Sequence, residues 1–228
     1  MTLQLHESPV PYKEFFGRYH EQMPRLLAEL RTPMTVAEIM RRRVDVAEGN
    51  AGVRDAWLDT YFDTSDAVLY HPSGKIKIVR RAPPLLTITT ESNIRAGALV
   101  VDHETYHSIP GPEFARRELI TGTPLTQTQA CAHPVWQTLA GDDQSLLNTY
   151  TDFVFRDSKR RCGHMENMGV YLGPPQDSPV LRAWTVGMVD YQSDVFGDSS
   201  LSDHICRLVG VTPGDAPDTV QMLPAAPR

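Results

Sequence analysis

The apolar residues of this chain change their spacing three times, and that change of period limits the fold more than any single motif. Tyr12, Phe15, Phe16, Tyr19, Met23, Leu26, Leu27 and Leu30 recur at three- and four-residue intervals. That stripe predicts an amphipathic helix over 12–31. A second helix is predicted after Pro33, because Thr35 and Glu38 have capping-box spacing and each side chain can accept the other's backbone N–H. It should end near Arg43, before the glycine-bearing loop 48–52. From Trp57 the pattern becomes that of strands. Residues 57–62 are rich in aromatics, and 67–70 and 75–79 flank the turn His71-Pro72-Ser73-Gly74 as a hairpin. Residues 85–90 and 98–101 are further strand candidates. Helical spacing returns with a second capping box, Thr126 and Gln129, a short helix opened by His133-Pro134, and the stripe Leu146, Leu147, Tyr150, Phe153, Val154. Strand spacing then resumes at 169–172, 181–184 and 207–211. Blocks of helix and blocks of strand predict an α+β protein, with antiparallel sheets, flanking helices and long irregular segments.

The chain reads as an N-terminal helical segment (1–52) packed on a main domain (53–211), and a tail (212–228) rich in Pro, Ala and Asp, expected to be extended or disordered. Its 228 residues suffice for a sizeable core. Apolar runs such as 98–101 are too short to span a bilayer, and no basic segment followed by an apolar core opens the chain. A cytoplasmic protein is therefore the default expectation. A net charge of −6 argues against nucleic acid as the main partner. The exceptions, Arg41, Arg42 and Arg43 and then Lys159, Arg160 and Arg161, are expected at solvated helix ends. Cys131, Cys162 and Cys206 form no CxxC pair, so neither a disulfide framework nor a cysteine-zinc site is predicted, and a reducing compartment suits them. No cofactor is expected.

Two short motifs invite a chemical reading. His103-Glu104-Thr105-Tyr106-His107 matches H-E-x-x-H, in which two histidines one helical turn apart hold zinc and the glutamate activates its water. Here residues 98–102 read as a strand and Pro110 follows closely. The two histidines are therefore expected not to face a common point. A zinc hydrolase using His103, Glu104 and His107 is the alternative function. Tyr61-Phe62-Asp63-Thr64 with Asp66 and Leu69 resembles a strand of triphosphate-tunnel enzymes, but residues 1–12 supply no alternating glutamates to hold a metal. An aromatic strand ending in an Asp/Thr turn accounts for it. Phosphate-binding glycine loops and a G-x-S-x-G elbow are absent.

Residues 185–206 differ from their flanks. They contain no Lys, Arg, Glu, Pro or Trp, and mix Asp, Ser and Gly with Tyr, Phe and His. Antibody loops use the same palette, aromatics for contact area and small polar groups for adaptable hydrogen bonds. A long irregular segment between two strands is also where binding function tends to sit.

The succession MGVYL, LRAW, this polar stretch and RLVGV, with HPVWQTLA and LLNTYTDFVF upstream, resembles the archaeal variable proteins of diversity-generating retroelements. The likeness covers roughly 57–211. It implies a C-type lectin fold of the formylglycine-generating-enzyme type, diversified near its C-terminus. Adenine-directed mutagenesis of AAC or AAT codons cannot produce Met, Trp, Gln, Lys or Glu. Within 185–206 only Met188 and Gln192 break that rule and would be fixed scaffold positions, where ordinary composition would place about four or five such residues. The ligand surface so implied comprises Thr185, Gly187, Val189, Asp190 and Tyr191, then Ser193, Asp194, Val195 and Phe196. It continues through Asp198, Ser199, Ser200 and Ser202 to Asp203, His204, Ile205 and Cys206. Tyr191 and Phe196 would be aromatic anchors, with Asp190, Asp194, Asp198, Asp203 and His204 setting polarity. The enzyme relatives use a cysteine pair, which the spread cysteines here do not offer. The resemblance therefore implies a non-catalytic binder of a protein or cell-surface ligand.

Overall fold

The structure, a computed structural model, describes residues 3, 5, 11–163, 165–174, 176–189 and 192–213. In chain order they form β1 (Tyr12–Gly17), α1 (Tyr19–Ala28), β2 (Thr32–Pro33), α2 (Val36–Val46), α3 (Ala51–Leu58), β3 (Phe62–Tyr70) and β4 (Lys75–Val79). There follow α4 (Pro83–Leu86), β5 (Ile94–Arg95), β6 (Ala98–Val100), α5 (His103–Ser108), β7 (Glu113–Ala115), α6 (Gln127–Ala132) and α7 (Pro134–Leu139). The long α8 (Gln144–Cys162) precedes β8 (Val170–Tyr171), β9 (Val180–Val186), β10 (Val195–Phe196) and β11 (Cys206–Val211).

One sheet carries the fold. Its spine is the antiparallel pair β3 and β9, in which Tyr70 faces Val180 and Asp63 faces Thr185. At the Asp63 end the spine is flanked by β11, parallel to β3, and by β10, antiparallel to β9. At the Tyr70 end it is flanked by β4 and β6. The strands predicted at 181–184 and 207–211 thus share a sheet and run antiparallel, with β3 between them. The strand period of two sends neighbouring side chains to opposite faces. Val68, Tyr70, Trp184 and Val209 enter one core with α2, α3, α7 and α8. Ala67, Leu69, Ala183 and Leu208 enter a second with α1 and Tyr106 of α5. Helices cover both faces, which is why the spine strands are nearly all buried.

Local signals account for much of this. Thr35 and Glu38 close the expected capping box on α2, and Thr126 and Gln129 close one on α6. The hairpin joins β3 to β4, with Tyr70 opposite Ile76.

Four expectations are corrected. The 12–31 stripe is split, because its first third pairs with β11 as the strand β1. Gly17, at φ +143°, breaks the chain before α1. Residues 12–52 consequently share one sheet and core with the rest. Trp57 lies in a helix, not a strand, since Asn50 caps α3 by accepting the Gly52 and Val53 N–H groups. Pro83 and Pro84 open the turn of helix α4 where residues 85–90 were expected to begin a strand. Arg43 is buried: it donates to the Trp57 and Thr60 carbonyls, Tyr150 Oη and Ser193 Oγ at 2.9–3.2 Å. The tail expected from Thr212 lies, beyond Pro213, outside the described residues. No described helix is long and apolar enough to cross a membrane.

Candidate functional site

A cleft of about 290 Å3 opens at the Asp63 end of the spine, lined by Tyr61, Asp63, Thr185, Phe196, Asp198, Ser199, Ser200, Asp203, Ile205 and Cys206. Its floor is built by long-range contacts. β3 is irregular between Asp63 and Ala67. The intervening Thr64 donates to the Trp184 carbonyl, while Asp66 accepts the Val36 and Arg81 N–H groups. A bulge of this kind re-aims side chains. Asp63 accepts the Thr185 hydroxyl at 2.6 Å and the Arg207 N–H at 2.8 Å. Ser199 Oγ stands 2.7 Å from Thr185 Oγ1. Burial pushes the Asp63 carboxyl up against the hydrogen bonds that favour its charged form. Burial, reinforced by the Asp63 charge, pushes the Cys206 thiol well up, which disfavours its thiolate form.

The wall is a loop held by residues outside it. Arg182, buried on β9, donates to the carbonyls of Ala96, Gly97, Asp198 and Ser199. Leu201 donates its N–H to Gly97 and fills the second core. Gly197 passes so close to the core that a Cβ there would stand 2.9 Å from Tyr70 Oη and Val68 Cγ1. On the rim, Phe196 stacks on Tyr171 at 5.2 Å and lies 6.0 Å from Tyr61.

The segment predicted as ligand surface is therefore divided. Phe196, Asp198, Ser199, Ser200, Ser202, Asp203, His204 and Ile205 reach solvent, and Ile205 is 76% exposed. Thr185 and Cys206 are buried and reach only the cleft floor. Gly187, Val189, Ser193, Asp194 and Val195 are interior, a correction to the expected display. Val189 and Val195 pack in the first core, and Gly187 backs onto the Phe196 ring. Ser193 is bonded by Arg43 and Tyr150. Asp194 accepts the Gly169 N–H at 2.6 Å, and burial pushes its carboxyl up to about 6. Asp190 and Tyr191 lie outside the described residues. Tyr61, Asp63 and Tyr171 were missed as site residues. For Tyr61 and Asp63 the only sequence signal is the Tyr61–Asp66 motif, which an aromatic strand ending in a turn also explains, and for Tyr171 it is the place in MGVYL.

The histidine motif also departs from expectation. Residues 103–108 form the helix α5, because Asp102 caps it by accepting the Thr105 N–H at 2.6 Å and Pro110 falls beyond its end. His103 and His107 do share a face. They converge with His71 of the β3–β4 turn, one ring nitrogen from each lying within 4.8 Å of the others. None of the three lines the cleft.

No protein-family model matches the chain, and no curated protein is detectably similar to it. A solved structure, described as "Accommodation of massive sequence variation in Nanoarchaeota by the C-type lectin fold", superposes with a TM-score of 0.64 at 14% identity. The match spans 91% of this chain and 100% of that one. At so low an identity the likeness speaks to architecture alone, and on that the agreement is complete enough to decide: this chain has the C-type lectin fold.

Proposed function

We propose that the protein is a non-catalytic binding protein, diversified by a retroelement, that meets a protein or cell-surface ligand at the cleft and rim of Tyr61, Phe196, Asp198, Asp203, His204 and Ile205. One observation carries the reading. Six solvent-reaching side chains of 185–206, those of Phe196, Asp198, Ser199, Ser200, Asp203 and Ile205, line one cleft, while the backbone of their loop is fixed by Arg182, Gly97 and Tyr70, which lie outside the segment. Side chains on such a platform can change without moving it. Support also comes from a fold neighbour described as accommodating massive sequence variation. Phe196 and Tyr61 supply aromatic contact area, and Asp63, Asp198 and Asp203 give the cleft an acidic character that favours basic groups on the ligand.

The test is the neighbouring DNA together with population sequencing of the gene. A reverse-transcriptase gene with a near-identical repeat of the 3′ coding end is expected. Substitutions should concentrate at Phe196, Asp198, Ser199, Ser200, Ser202, Asp203, His204 and Ile205 and spare Gly197 and Leu201. Variation spread evenly over buried and exposed positions would defeat the proposal.

A further inference from the structure

We propose that His71, His103 and His107 form a binding site for a divalent transition metal, zinc by its preferred geometry. The three imidazoles come from two elements: His103 and His107 from successive turns of α5, and His71 from the turn after β3. One nitrogen from each lies within 4.8 Å of the others, and His71 Nε2 stands 3.2 Å from His103 Nδ1. Two nitrogens bound tetrahedrally to one zinc at about 2.0–2.1 Å are separated by about 3.3 Å, so this spacing already suits a shared ion. Three neutral imidazoles with one open position are a donor set suited to zinc.

The scaffold around the site is fixed. Asp102 caps the start of α5, and buried Lys77 donates to the Tyr106 and Ile109 carbonyls at 2.7 and 2.9 Å at its end. The hairpin backbone holds His71, whose N–H donates to the Lys75 carbonyl at 2.9 Å. Behind it stands the Tyr106 ring, 4.8 Å away. Ser73 Oγ lies 2.7 Å from His71 Nδ1. The Ser73 backbone N–H also points at Nδ1, at 3.2 Å, so an ion at Nε2 requires the tautomer in which Nδ1–H donates to Ser73 Oγ, the outer-sphere arrangement that orients metal-binding histidines. Glu113 is engaged by Lys75 and Tyr106, leaving the fourth position to water or an incoming donor. The site lies beyond the Tyr70 end of the spine, about 26 Å of extended strand from Asp63. It would clip the hairpin turn to α5 without touching the cleft.

Full-length, tag-free, metal-stripped protein titrated with Zn2+ by calorimetry, and with Co2+ by visible absorption, tests this. One equivalent is expected, with a tetrahedral cobalt spectrum and a melting temperature that rises with free zinc. His71→Ala and His107→Ala should each weaken zinc at least about tenfold, since even the loss of an outer-sphere partner costs that much. Circular dichroism checks that each metal-free variant is folded. His107 is exposed, so its variant keeps the test decisive if His71→Ala unfolds. Absence of stoichiometric zinc in the parent protein would overturn the proposal. So would zinc binding that survives either substitution unchanged, because only a surface histidine pair would then remain.

Discussion

Asp194 stands in the stretch whose composition suggests a binding surface, yet its carboxylate is buried against the Gly169 N–H. Burial pushes it up to about 6 from an ordinary 3.8, and does the same to Asp66 within β3. The sign follows from linkage. A carboxyl whose folded pKa is raised contributes stability that is full below about 4 and lost as pH rises through about 6. Asp194→Asn keeps an oxygen for Gly169 and removes the ionisation. The variant should match the parent at pH 4 and exceed it at pH 8 by about 2 kcal/mol, read from urea unfolding at both values. An unchanged gap between the two would show that ionisation is not what Asp194 contributes. Gly197 adds a second restraint of the same scale, because its lack of a Cβ is what lets the loop pass over Tyr70 and Val68.

Among the elements, the loop from Gly197 to Ile205 owes its shape to its neighbours. It contains little regular structure, but Arg182 ties two of its carbonyls to two carbonyls of the β5–β6 turn. Each such charged hydrogen bond is worth about 1.5–3 kcal/mol, and the buried carbonyls would be left without a donor if it were lost. Arg182→Met should cost about 3 kcal/mol and speed amide exchange chiefly at 198–201, measured by denaturation and hydrogen exchange. Uniform acceleration across the sheet would mean that Arg182 serves the spine and not the loop. The same contrast explains β1. Its residues fit a helical stripe, but pairing with β11 satisfies a full strand of backbone groups, and tertiary pairing overrides local propensity.

For the molecule as a whole, the proposed division of labour is a rigid spine with a tolerant rim. Replacing Asp198, Asp203, His204 and Ile205 together by serine should shift stability by no more than about 1 kcal/mol, since exposed side chains away from caps and cores contribute little. Trp184→Ala, which empties a fully buried site between the spine and α2, should cost about 3–5 kcal/mol. Comparable losses in thermal unfolding would make the rim part of the core. What the sequence determined by itself was local. The capping boxes at Thr35 and Thr126, the hairpin at His71–Gly74 and the stripe of α8 depend on residues three or four apart, so their periods are visible in one dimension. The α+β class followed from those blocks. The tertiary structure alone decided which half of 185–206 faces solvent, because Asp63 on the irregular β3, the buried Arg43 and the Gly169 N–H draw Thr185, Ser193 and Asp194 inward. It alone brought Asp63 to Thr185 across 122 positions and His71 to His103 across 32. Contacts at such separations are set by the packing of the sheet, and no periodicity in the chain records them.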